Sequence, residues 1–215
     1  MTSIRFTVAA LVCLSLGAGA PAIGQTAAPV PAAPVPAAPR ANAADVRFMQ
    51  GMIAHHAQAL TMSALVPART TRDAMHLLAE RITVSQRDEI AIMRTWLQAH
   101  GQSAPDPMAA HDMAGMAGMH HDMAGMPATA DSTMPGMLTA EQLAALGAAN
   151  GAAFERLFLE SMIRHHEGAL TMVKQLFASP GAAQDGDVFR FASDVDVDQR
   201  AEIARMRTLL AALPR

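Results

Sequence analysis

Cysteine, tyrosine and tryptophan are nearly missing from this chain, which has one Cys, no Tyr and one Trp in 215 residues. The single thiol, Cys13, lies in an apolar run from Phe6 to Leu16 that follows Arg5 and leads into a small-residue stretch ending Ala22-Ile23-Gly24. Residues 1–24 therefore read as a secretory signal peptide, with an apolar run too short to span a bilayer. Leu11-Val12 ahead of Cys13 does not suit a lipoprotein acceptor cysteine. With the leader removed, the mature chain is expected to hold no disulfide and no zinc–thiolate centre, which leaves soft-metal chemistry to methionine and histidine. Positive charge is also short: 16 Lys and Arg stand against 19 Asp and Glu, for a net charge of −3. No basic stripe is available to neutralise phosphates, so a nucleic-acid partner is not expected. No segment alternates with the period of two that a half-buried strand needs, and the expected class is all-α.

Methionine, by contrast, occurs 17 times. The segment Met52-Ile53-Ala54-His55-His56-Ala57-Gln58-Ala59-Leu60-Thr61-Met62 returns 110 residues later as Met162 to Met172, changed only at 164, 167 and 168. A second pattern, Gln86-Arg87-Asp88-Glu89-Ile90-Ala91-Ile92-Met93, returns at an offset of 113 as Gln199 to Met206. Two copies of a helical hairpin are thus written into the chain. They would most simply pack as an antiparallel four-helix bundle, ferritin-like, with pseudo-twofold symmetry.

Punctuation divides the rest. Residues 25–41 repeat Ala-Pro-Val-Pro-Ala-Ala-Pro, a polyproline-type linker that cannot bury a core. The bundle is expected over 42–213. Hairpin one (42–100) starts at an Asn42 cap, breaks at Pro67, restarts at a Thr70 or Thr71 cap and stops at Gly101. Hairpin two (139–213) starts at a Thr139/Gln142 capping box, continues as one helix to Phe177, breaks at Ser179-Pro180-Gly181 and restarts around Asp185 to Asp187. Between them, residues 101–137 are rich in Gly, Met, His and Pro and longer than an ordinary connection.

On a helical wheel, Met52 marks an apolar stripe with Phe48, Met49, Ile53, Ala59, Leu60, Ser63 and Val66, and His55 and His56 fall on its flanks. The opposite face carries Gln50, Ala54, Gln58 and Thr61, and in the second copy Glu160, Arg164, Gly168 and Thr171, all of which look solvated. On the second helix Gln86, Glu89 and Met93 share the side of Ile82 and Trp96. The interior should then gather His55, His56, His165 and His166 with Gln86, Glu89, Gln199 and Glu202. Buried polar groups must be paired. Two readings meet that demand: a His–Glu network that only sets helix register, or imidazole and carboxylate ligands for a metal. The Glu-x-x-His pattern of di-iron bundles is missing, which speaks against an oxidase. Met52, Met62, Met162 and Met172 read first as core filling, with a ligand role beside the histidines left open.

The inter-hairpin segment is a separate candidate. His111-Asp112-Met113-Ala114-Gly115-Met116 recurs as His121-Asp122-Met123-Ala124-Gly125-Met126, with Met119-His120 between. Thioether sulfur is soft and pH-independent, so Met-x-x-Met with histidine suits Cu(I), while histidine also accommodates Cu(II). An exposed methionine row is otherwise an oxidation liability. The first-choice metal ligands are accordingly His111, Met113, Met116, Met119, His120, His121, Met123 and Met126, with the bundle His and Met residues second. A hydrolase has little support, because Gly51 stands where Ser161 precedes the second His-His pair and that serine is not repeated; a Ser-His-Asp triad is left to geometry alone.

The motifs Phe48-x-x-x-Met52-Ile53-x-His55-His56-x-x-Ala59-Leu60-x-Met62 and Gln86-x-x-Glu89-Ile90-x-x-Met93, each present twice, resemble domain-of-unknown-function family 305 over roughly residues 44–213. The resemblance implies a secreted bacterial protein with a ferritin-like four-helix fold, in a family some of whose members bind copper. The sequence-based expectation is a periplasmic or secreted copper-binding protein, not an enzyme, that sequesters or delivers copper, Cu(I) before Cu(II). Its partners would be the metal ion and another periplasmic copper protein, with no membrane span in the mature chain. A metal-dependent oxidase and a non-metal structural or interaction module are the alternatives.

Overall fold

The structure, a computed structural model, describes residues 41–107 and 134–214. The expected signal peptide, all but the last residue of the linker, and every metal-ligand candidate from His111 to Met126 lie outside the described residues. Among the described residues there are five helices and no strand: α1 (Ala43–Arg69), α2 (Asp73–Ala99), α3 (Ala140–Ala148), α4 (Gly151–Ala178) and α5 (Gly186–Ala211). None is long and apolar enough to cross a membrane.

The caps explain most boundaries. Asn42 accepts from the Ala44 amide to start α1, Thr139 and Gln142 form the reciprocal capping box of α3, and Asp185 accepts from the Asp187 and Val188 amides to start α5. Gly101, at φ 65°, takes the left-handed position just beyond α2. Three boundaries differ from expectation. Pro67 does not end α1, which continues to Arg69; so close to the helix end its ring removes a single backbone donor. The cap of α2 is Arg72, and the Thr70 hydroxyl, two residues earlier, accepts from the Arg72 amide while donating to Glu155. The helix expected from Thr139 to Phe177 is two helices, split where Gly151 adopts φ 56° after Asn150.

α1 packs on α2, α4 packs on α5, and the two hairpins join chiefly through α1 against α4. The apolar interior falls into two clusters. One gathers Phe48, Met52, Ile53, Met93 and Trp96 with Val173, Leu176, Phe191 and Val195; the other gathers Met62, Val66, Leu78 and Ile82 with Phe154, Phe158, Met162 and Met206. Each long helix contributes to both, and each passes from one to the other through its polar residues: His55-His56, Gln86 and Glu89, His165-His166, Gln199 and Glu202. A polar layer thus separates two apolar halves, as the wheel requires.

The hairpins also hold one another's turns. Glu155, buried near the start of α4, accepts from the Thr70 hydroxyl at 2.5 Å and from Arg72 Nε at 2.8 Å, in the turn of hairpin one. At the matching place in the first copy, buried Asp45 accepts from the Ala183 amide at 2.7 Å, in the turn of hairpin two. That bond holds Ala183 at φ 54°, where a residue with a β-carbon seldom sits.

Candidate metal centre: a buried histidine layer

His55 and His56 are adjacent on α1, and their antiparallel counterparts His165 and His166 face them from α4. All four rings are at most 1% exposed. The outer pair turn toward the second helix of their own hairpin. His56 Nε2 is in short contact with Glu89 Oε2, while Glu89 Oε1 accepts from Ser85 Oγ at 3.0 Å, and His166 Nε2 lies 2.6 Å from Glu202 Oε2. The inner pair stack on each other with ring centroids 3.9 Å apart. Gln86, Glu89, Gln199 and Glu202 are all buried in this layer, and Gln86 Oε1 has no partner there.

Electrostatics keep the inner pair neutral. Burial, with the neighbouring His56 charge, pushes His55 down to about 3. Burial, then the surrounding His55, His166 and His56, pushes His165 well below the ordinary histidine value, opposed by a hydrogen bond to the His55 backbone. Glu89 goes the other way. Burial alone would raise it, but the His56 and Ser85 hydrogen bonds and the His56 charge outweigh that and hold it below its ordinary value as a carboxylate.

The partners of these rings decide their tautomers. His55 Nε2 lies 3.0 Å from the Pro135 carbonyl, which can only accept, so Nε2 carries the proton. The Glu89 and Glu202 carboxylates likewise accept an N–H from Nε2 of His56 and of His166. What remains is Nδ1 of His55, His56 and His166 and Nε2 of His165, all buried and all without a partner. The two neutral inner rings, each giving one N–H to a backbone carbonyl and keeping a bare lone pair on the other nitrogen, are in the state of a metal ligand. Among the described residues, however, no three His, Cys, Asp or Glu side chains converge tightly enough to hold an ion. Other donors stand nearby: Gln86 Oε1 in the layer, and the thioethers of Met52, Met62, Met162 and Met172, all buried in the two clusters flanking it.

A short strap covers the inner pair. Residues 134–138, the last of the inter-hairpin segment, cross α1 and α4 and close over them with three contacts. Pro135 O receives His55; the Gln58 amide pairs with both backbone groups of Leu138, at 2.9 and 2.7 Å; and Gly136 and Gly168 meet backbone to backbone. A β-carbon on Gly168 would sit 1.9 Å from Pro135 O, and one on Gly136, itself at φ 79°, would sit 2.4 Å from Arg164 O. Gln58 and Gly168 are consequently buried, not solvated as the wheel implied, while Arg164, Glu160 and Thr171 are exposed. The wheel sees only its own helix and cannot know that a connecting segment lies across it. The Pro135-Gly136 pair and the Gln-to-Gly change between copies were the available signals.

A sequence profile for a domain of unknown function, DUF305, matches residues 45–210. The chain belongs to the DUF305 family. Among solved structures, a DUF305 fragment from Deinococcus radiodurans is 31% identical with a TM-score of 0.64, covering 81% of this chain and 100% of that one. A secreted DUF305 protein from Streptomyces coelicolor is 29% identical with a TM-score of 0.61, over 78% of this chain and 92% of that one. CopM in its Cu(II)-bound form is 25% identical with a TM-score of 0.54, over 78% of this chain and 95% of that one. The Cu(I)-bound form of CopM matches at 23% identity, which carries the likeness of fold alone. No curated protein sequence matches the chain. The all-helical DUF305 architecture expected from the doubled motifs is the one observed.

Proposed function

We propose that this DUF305 protein binds copper, Cu(I) in preference to Cu(II), in the periplasm or outside the cell, and sequesters it or hands it to another copper protein. The observation that carries the reading is the doubled His-Asp-Met-Ala-Gly-Met segment at 111–126, a dense set of soft donors in a chain whose only thiol is Cys13. His111, Met113, Met116, Met119, His120, His121, Met123 and Met126 would be the principal ligands. The copper-bound form of CopM and the secreted relative support this reading. So does the buried layer, whose neutral inner pair keeps unpartnered His55 Nδ1 and His165 Nε2, the donor type copper accepts, with Met52, Met62, Met162 and Met172 at hand.

Metal analysis and X-ray absorption of the purified protein test the proposal. Sulfur-rich coordination is expected, and deleting residues 108–126 should remove most bound Cu(I). Joint His55→Ala and His165→Ala substitution should mainly lower thermal stability. If the double variant lost all copper with the segment intact, the site would be in the bundle; if the full chain released copper on dialysis at micromolar concentration, the reading would fail. A second reading has an observation of its own. The His56–Glu89 and His166–Glu202 pairs satisfy each other without any metal, so the layer can serve helix register alone, as in a structural or interaction module.

A further inference from the structure

Met134 opens the strap. It is half-buried and packs on the cluster that contains Phe48, Met52 and Met172. Beneath it α1 carries Gly51, at the position Ser161 holds in the other copy. A β-carbon on Gly51 would lie 3.5 Å from Met134 Sδ and 3.4 Å from Met172 Cε. Two thioether ends, one from the strap and one from α4, therefore meet over the same bare stretch of helix backbone. A cleft of about 290 Å³ opens at that point, lined by Arg47, Phe48, Gly51, Met134, Pro135 and Met172. The next residue along the strap, Pro135, accepts the hydrogen bond from His55. Eight residues earlier in the sequence is Met126, the end of the doubled Met/His segment.

We propose that Met134 and Met172 form a two-thioether entry site for a soft monovalent ion, Cu(I) or Ag(I), at the mouth between α1 and α4. The proposal deepens the copper reading and rests on it. Neutral thioethers favour a soft monovalent cation at any pH and have little affinity for hard ions. Two such donors hold an ion less firmly than a longer Met/His row, which suits transfer more than storage. Arg47 at the rim is exposed, so its charge is screened by solvent. Gly51 keeps the helix surface bare at the point where Met134 Sδ and the Met172 methyl group converge.

The test is a titration of the full chain with Ag(I), a redox-inert stand-in for Cu(I), followed by NMR of ¹³C-methyl-labelled methionine. Met134→Leu and Met172→Leu, near-isosteric changes the fold should tolerate, assign the two signals. Both methyl signals should shift together, and replacing either methionine should abolish the shift of the other while the signals of residues 113–126 still move. Were Met134 and Met172 unmoved at saturation while those other methionines shifted, the entry site would be wrong and the copper reading would stand. A Met172 shift that survived Met134→Leu would likewise overturn the shared site. If no methionine signal moved at all, the copper reading itself would fail.

Discussion

His56 meets Glu89 in hairpin one and His166 meets Glu202 in hairpin two through the same pair of atoms, yet two residues further along the same helices Gln58 stands opposite Gly168. The contrast separates two kinds of constraint. A histidine inside a bundle needs an acceptor in either copy, and the copies solve that need identically. The strap crosses the bundle once, so the positions beneath it have different tasks: Gln58 must hold the Leu138 backbone, and Gly168 must leave room for Pro135. Symmetry persists where the burden is shared and disappears where a single segment imposes it.

Breaking the shared part should cost most. His166→Leu leaves the Glu202 carboxylate buried without its partner, and destabilisation by about 3–5 kcal/mol is expected in urea unfolding. His56→Leu should match it to within about 1 kcal/mol, since Glu89 is similarly placed; a large gap between the two would show that the copies are not equivalent at their centre. The unshared part comes next. Gly168→Ala forces the strap off α4 and should cost about 1–3 kcal/mol, and the same change at Gly147, where nothing lies within 4 Å, should not destabilise. Gln58→Ala removes both bonds to Leu138 and should cost about 1–2 kcal/mol, with faster amide exchange at Leu138 as the specific sign.

Acid should reveal the inner pair, one histidine from each copy. The folded-state value of His55 is depressed to about 3 from 6.5, and His165 moves in the same direction. Above 6.5 neither the folded nor the unfolded state is protonated and the full stability is present. Below it only the unfolded state takes up the proton, so stability falls by about 1.4 kcal/mol per pH unit for His55 until its folded value is reached. Metal-free protein unfolded at about pH 7.5 and about pH 5.5 should show this loss, and joint His55→Gln and His165→Gln should flatten it. A native protein equally stable at both would contradict the neutral, buried pair.

Much of the bundle was legible because it depends on local rules. Helical spacing brought His55, His56, Gln86 and Glu89 to the inside, and the caps at Asn42 and Thr139 operate within one turn of chain. The failures arise where distant segments intervene. Thr70 reads as a helix cap, but its hydroxyl accepts from Arg72, ahead of the helix, and donates to Glu155, 85 residues away. Gln58 reads as solvated until Leu138 arrives. Asn150-Gly151 was a visible break signal, overridden by apolar spacing that continues on either side of it. Among candidate ligands, periodicity placed the histidines correctly in the layer, but it could not show that Met134 would meet Met172, because they share no helix.

Asp45 and Glu155 extend the meaning of the duplication. Each hairpin carries the carboxylate that completes the other's turn, so neither half is finished alone. A single hairpin could close the same contacts only against a second copy of itself, each copy giving and receiving one carboxylate, as in an isologous C2 dimer. The packing of α1 on α4 is in that sense a subunit interface written into one chain.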